Sequence, residues 1–166
     1  MPRVVYAYRW QKPQALLQVY TDSDWAGCVR TRRSTSGGVV MHGSHCIHHW
    51  SRTQLNVALS SGEAELNAML KGGCEGLGLK TMLGEAEAKV DIQLYGDSSA
   101  ARGTVARQGI GKTKHLDVKQ LWMQEKVAEG VIKSTKIPRD ANISDALTHA
   151  WTTADMHHFK GMCLRG

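Results

Sequence analysis

"ALLQVYTDSDWAG", residues 15–27, decides how the chain is read. Its first half carries apolar side chains on both faces of a strand, so it belongs in the middle of a sheet. Its second half sets Asp22 and Asp24 two positions apart at the strand's end. Side chains alternate along a strand, so the two carboxylates share one side of the sheet. Unpaired acids that close repel each other, and a divalent cation is the simplest group that offsets the repulsion. Which aspartate is the ligand stays open on this ground alone.

Outward from this strand the chain alternates patterns. Residues 2–11, "PRVVYAYRWQ", suggest a short helix ended near Pro13. After the strand, "CVRTRRSTSGG" is a polar, basic loop, and "GVVMHG" and "HCIHHWS" read as two strands joined by a Gly-Ser turn. Residues 58–86 repeat Leu66, Met69, Leu70, Gly73 and Leu77 at helical spacing. Glycines 72, 73, 76 and 78 inside that helix either permit close packing or mark a marginal helix. "VDIQLYG" is a fourth strand, "DSSAARGTVARQ" a short helix, and "GIGKTKH" a basic glycine loop. "LDVKQLWMQEKVAEG" is an amphipathic helix ended by Gly130, "VIKSTKIP" a fifth strand, and "DANISDALTHAW" a last helix. The order β-β-β-α-β-α-α-β-α predicts an α/β fold. Its mixed five-stranded sheet has a three-strand antiparallel meander, then parallel strands, flanked by helices.

The chain has 166 residues, enough for one domain with a sizeable core. No apolar run is long enough to span a bilayer, and the start lacks the apolar core of a signal peptide. A cytoplasmic or nuclear setting is expected, not a secreted one. The net charge of +6 favours an anionic partner such as nucleic acid. Cys28, Cys46, Cys74 and Cys163 are irregularly spaced and read as free thiols. His42, His45, Cys46, His48 and His49 raise a zinc reading, as do His157, His158 and Cys163 in the tail. Alternation puts His45 and His49 on one strand face and Cys46 and His48 on the other, so four convergent ligands are not expected.

Four acids stand at strand ends or helix starts. Asp97 follows the fourth strand, where capping the next helix is its ordinary role. Asp145 sits near the first turn of the last helix, where the helix dipole favours it. "SSGE" is a capping box, with Ser60 as N-cap and Glu63 reaching back. That leaves Glu65 without a structural task, beside the apolar stripe and leaning toward the sheet. Singly each acid has a structural reading; together with Asp22 they resemble a site for a hard cation.

The segments "YTDSDWAG", "TRRSTSGG", "ALSSGEAELNA", "LYGDSSAA", "GKTKHLDV" and "ISDALTHA" resemble the ribonuclease H domain of copia-type LTR retrotransposon polyproteins. They occur in that family's order and span roughly residues 15 to 150. The resemblance implies hydrolysis of the RNA strand of RNA–DNA hybrids with two Mg²⁺ ions, Mn²⁺ serving as a substitute. The catalytic and metal-binding set it implies is Asp22, Glu65, Asp97 and Asp145. By the same resemblance Asp22 bridges the ions, Glu65 and Asp97 hold one and orient water, and Asp145 completes the other. Arg32, Arg33, Ser34, Thr35, Ser36 and Ser98 are expected to contact substrate, as are Lys112, Lys114 and His115. Asp24 is expected in a supporting place beyond Asp22. Residues 1–14 resemble the end of the connection to a reverse transcriptase polymerase domain, and residues 151–166 form a tail. The domain is expected as a monomer, in the cytoplasm, within virus-like particles, or in the nucleus.

The sequence also departs from the family. "IPRDANISD" has no histidine before the last acid, and His149 lies after it. Ser98 and Ser99 stand where relatives carry an amide, and glycines interrupt the long helix. A competing reading is therefore a catalytically decayed or domesticated hybrid-binding module of the same fold. An integrase-type reading fits less well, since that family spaces three acids differently and has no counterpart of "TRRSTSGG".

Overall fold

A computed structural model describes residues 8–107 and 118–149. The strands are β1 (Leu16–Asp24), β2 (Thr35–His42), β3 (His45–Thr53), β4 (Asp91–Gly96) and β5 (Ile132–Lys136). The helices are α1 (Ser61–Glu85), α2 (Ser99–Val105) and α3 (Val118–Ala128). The sheet order is β3-β2-β1-β4-β5, with β1 at the centre as its two-faced apolar pattern requires. β1, β2 and β3 pair antiparallel, and β1, β4 and β5 pair parallel. The mixed sheet expected from the order of elements is therefore the one observed.

On one sheet face Leu17, Val19, Val40, Ile92, Leu94 and Ile132 form a dry core with Leu66, Met69, Ala101, Val105 and Met123. Those partners come from α1, α2 and α3, so the described helices all pack on this face. The α1 glycines are close-packing residues at three of the four positions. A Cβ on Gly72 would lie 2.3 Å from Thr21, and Gly73 and Gly76 meet Met123 and Val19 as closely as 2.3 and 3.1 Å. Among the described residues, a Cβ on Gly78 would meet nothing within 4 Å. The other face carries a smaller cluster of Val39, Met41, Cys46 and Ile143, edged by Tyr20 and Leu147.

Two expected helices differ. Residues 8–15 form no helix; they strap the β2–β3 turn instead. Gln11 donates to the His42 carbonyl at 2.8 Å and accepts from the Ser44 backbone at 3.0 Å, while the Tyr8 hydroxyl donates to the Cys46 carbonyl. The segment expected as a last helix forms two single 3₁₀ turns, Arg139–Ala141 and Asp145–Leu147. Asn142 and Ser144 explain the difference. The Ser144 hydroxyl and backbone N–H both donate to Asn142 Oδ1, and such local bonds compete with a helix.

The histidine-rich strand also departs from strict alternation. Between β2 and β3 the register shifts at Val40/Met41, so Val40 pairs with His48 but Met41 with Cys46. Cys46 thus joins the smaller cluster, while His48 turns toward α1 and meets Glu75 at 3.5 Å. Among the described residues these side chains gather into no metal-binding group. Cys28, Cys46 and Cys74 are free thiols, and Cys163, His157 and His158 lie outside the described residues.

Candidate metal centre

β1 and β4 run parallel with Tyr20 opposite Tyr95. Continuing that register two residues sets Asp22 beside Asp97, just beyond the stacked Tyr20 and Tyr95 rings. α1 runs back along β1 from its N-terminus, so Glu65 reaches the same end of the sheet. One carboxylate oxygen from each of Asp22, Glu65 and Asp97 lies within 4.8 Å of the others. Among the described residues this is the cluster with a geometry that could hold a metal ion.

Capping assigns the other polar groups. The Ser60 hydroxyl accepts from the Glu63 backbone at 3.2 Å, and Glu63 reaches back to the Leu59 N–H at 2.8 Å. That is the capping box read from "SSGE", with its return bond one residue earlier. α2 is capped by Ser98, whose hydroxyl accepts from the Ala101 N–H at 3.2 Å. Asp97 is thereby relieved of capping and left to the acidic group.

Glu65 and Asp22 are anchored by hydroxyl or backbone donors. The Ser23 backbone and hydroxyl both donate to Glu65 Oε1, at 3.2 and 3.1 Å. Glu65 Oε2 is buried with no hydrogen-bond partner among the described residues. The Thr148 hydroxyl donates to Asp22 Oδ2 at 2.7 Å. Burial pushes the Glu65 carboxyl up to about 8, and the charges of Asp22 and Asp97 push the same way. Burial pushes Asp22 up to about 6 against the opposing Thr148 bond, with Asp145 and Asp97 adding to the rise. Three hard oxygen donors, one of them orphaned, and carboxyls that resist ionising next to each other fit a divalent cation.

Asp145 is not within that group of three. It sits on the second 3₁₀ turn, 3.5 Å from Arg139 and 3.4 Å from His149, near enough for its charge to act on Asp22. Asp24 accepts from the Thr35 backbone N–H across the β1–β2 loop. Ser34 and Ser36 are buried, and their hydroxyls accept from the Ala26 N–H at 3.0 Å and from Gln54 at 2.9 Å. Arg32 and Arg33 stay exposed on that loop. Lys112, Lys114 and His115 lie outside the described residues.

Sequence reasoning missed Ser23, Thr148, Asn142 and Gln54. Gln54 ties the strands to α1 through Ser36 and the Ala64 carbonyl. Asn142 donates to the Thr21 carbonyl at 3.0 Å and pins the closing segment to β1. No sequence signal marked these contacts, because they join residues far apart in the chain.

No protein-family model matches the chain. The retrovirus-related Pol polyprotein from transposon TNT 1-94 of Nicotiana tabacum is 34% identical over 135 residues, 80% of this chain and 10% of the polyprotein. The Pol polyprotein from transposon RE1 of Arabidopsis thaliana is 25% identical over 146 residues, 86% of this chain and 10% of that one. The chain thus spans about a tenth of the length of these curated relatives. The N-terminal RNase H domain from Mycobacterium tuberculosis superposes with a TM-score of 0.59 at 15% identity, covering 91% of this chain and 98% of that one. LC11-RNase H1, solved in complex with an RNA/DNA hybrid, gives a TM-score of 0.54 at 20% identity, covering 80% and 93%. The chain is an RNase H-like domain, and over most of its length its homologues are copia-type retrotransposon Pol polyproteins.

Proposed function

We propose that this domain hydrolyses the RNA strand of RNA–DNA hybrids with the help of two divalent cations, as retroelement reverse transcription requires. The observation that carries the reading is the meeting of Asp22 from β1, Glu65 from α1 and Asp97 from the β4–α2 junction at one end of the sheet. These residues would hold Mg²⁺ or Mn²⁺, with Asp145 alongside Asp22. When bound, the ions supply charge stabilisation to the attacking and leaving oxygens of the phosphodiester. The chain's own part is to orient oxygen donors before substrate arrives. Ser23 holds Glu65 by one oxygen and leaves the other bare. Arg32 and Arg33, exposed on the loop after β1, bind backbone phosphates and set the register of the duplex. Lys112, Lys114 and His115 serve as a second phosphate-binding group. A relative by fold is described in complex with an RNA/DNA hybrid, which supports the choice of substrate.

The test uses a labelled RNA–DNA hybrid with Mg²⁺. The protein should cut the RNA strand, and Asp22→Asn and Asp97→Asn should not. An intact hybrid with tight binding retained would leave a binding module in place of a nuclease.

A further inference from the structure

Thr148 lies in the closing segment, 126 residues from Asp22, yet its hydroxyl is 2.7 Å from Asp22 Oδ2. Both residues are 5% exposed, so water does not compete for the contact. The hydroxyl has one hydrogen and two other polar atoms in range, the Asp145 carbonyl at 2.9 Å and His149 Nδ1 at 3.3 Å. The Asp22 contact is shorter and charge-assisted, so the hydrogen points to the carboxylate.

The surroundings are shaped for this approach. Asp22 pairs across the sheet with Gly37. A Cβ on Gly37 would stand 2.8 Å from the Thr148 methyl and 2.9 Å from the Ser144 carbonyl. Any larger residue there would lift the closing segment away from Asp22. The segment is fastened at two points before Thr148, by Asn142 to the Thr21 carbonyl and by the Ser51 hydroxyl to the Leu147 carbonyl at 2.6 Å. The Ser23 hydroxyl and backbone N–H likewise donate to Glu65 within the acidic group.

We propose that Thr148 is a positioning residue for the metal site: its hydroxyl fixes the rotation of the Asp22 carboxylate, so that Asp22 is presented to a divalent cation already oriented. The proposal rests on the reading of the acids as a metal site. A threonine that merely filled space would be replaceable by valine, which has nearly its shape. A hydroxyl that orients a ligand is replaceable only by serine. Partners one bond removed from a metal ligand typically change metal affinity by about 10-fold or more when lost.

The test titrates Mn²⁺ into the nucleic-acid-free protein by calorimetry, for the parent, Thr148→Val, Thr148→Ser and Gly37→Ala, with Tm recorded for each. Cleavage of the hybrid is then followed against Mg²⁺ concentration. Thr148→Val should bind Mn²⁺ about 10-fold more weakly and raise the Mg²⁺ midpoint by a similar factor. Thr148→Ser should restore both to within about twofold of the parent, because it restores the hydroxyl. Gly37→Ala keeps the hydroxyl but displaces it, and should weaken Mn²⁺ binding as well. If Thr148→Val does not fold, Gly37→Ala against Thr148→Ser decides. Parent-like affinity in Thr148→Val, or equal loss in the valine and serine variants, overturns the proposal. A parent that binds Mn²⁺ but leaves the hybrid intact removes the nuclease reading alone, and the affinities still judge Thr148. A parent that binds no Mn²⁺ removes both.

Discussion

Among the described residues, Leu17, Val19, Leu94 and Ile132 lie under three helices on one face of the sheet, while on the other Tyr20, Val39 and Met41 cluster with Cys46 and with Ile143 and Leu147 from the closing segment. The helix face is dry and held by apolar burial. The thin face, from which Asp22 projects, is held largely by hydrogen bonds: Asn142 to Thr21, Ser51 to Leu147, and Thr148 to Asp22. Apolar burial is non-directional and supplies most of the folding free energy. Hydrogen bonds contribute less net energy, but they set direction, which a ligand site needs. The comparison teaches that the main apolar core and the Asp22 side of the acidic group lie on different faces.

Substitutions should break along the same line. The largest effect is expected for Asp97→Asn and Asp22→Asn on cleavage, a loss on the order of 10³-fold, equivalent to about 4 kcal/mol of transition-state stabilisation. A steady-state assay with matched folded protein checks it, and residual rates near the parent's would mean the acids are not the site. Next comes the helix face. Met69→Ala, in a fully buried position, should cost about 2–5 kcal/mol of stability while leaving the turnover of the folded fraction unchanged. Urea denaturation beside the same assay separates the two quantities.

The acidic group should show the reverse trade. Asp22 and Glu65 have carboxyls raised above their ordinary values of 3.8 and 4.5, to about 6 and about 8. A raised value in the fold means the native state holds protons that the unfolded chain releases. The stability linked to them is fully present below about pH 4 and is lost as pH rises through about 6 and then about 8. Metal-free protein should therefore melt lower at pH 8.5 than at pH 5.5, and Mg²⁺ should reverse much of the difference at the higher pH. In the same metal-free state Asp22→Asn should gain on the order of 2 kcal/mol at pH 8.5, although it is expected to abolish cleavage. A loss of stability in that variant would place Asp22 among structural residues. The smallest effect is expected for Asp24→Asn. Its carboxylate accepts the Thr35 N–H within the β1–β2 loop, so its replacement should cost about 1 kcal/mol and slow cleavage only severalfold.

The sequence was legible wherever a local pattern had one outcome. The apolar run before Asp22 could only be a central strand, and the Ser60–Glu63 box left Glu65 free for the acidic group. It misled where several local solutions competed. Asp97, Ser98 and Ser99 all suit an N-cap, and only the fold chose Ser98. "DANISDALTHA" has helical spacing, but Asn142 and Ser144 spend their polar groups on each other and on β1. Alternation along "HCIHHWS" failed at the register shift beside Met41, which no residue in that stretch announces. Thr148 was unreadable for a simpler reason: its partner lies 126 residues away.

Gly37 and Gly38 sit side by side in β2 but answer to opposite faces. A side chain at Gly38 would run into the Trp50 ring at 2.0 Å, whereas one at Gly37 would strike the segment that carries Thr148. In a mutational scan these adjacent codons should therefore report different failures: insoluble protein from position 38, and soluble protein with an altered metal requirement from position 37. Two neighbouring residues thus give an internal control, by which a defect in folding can be told from a defect in the site without leaving the same strand.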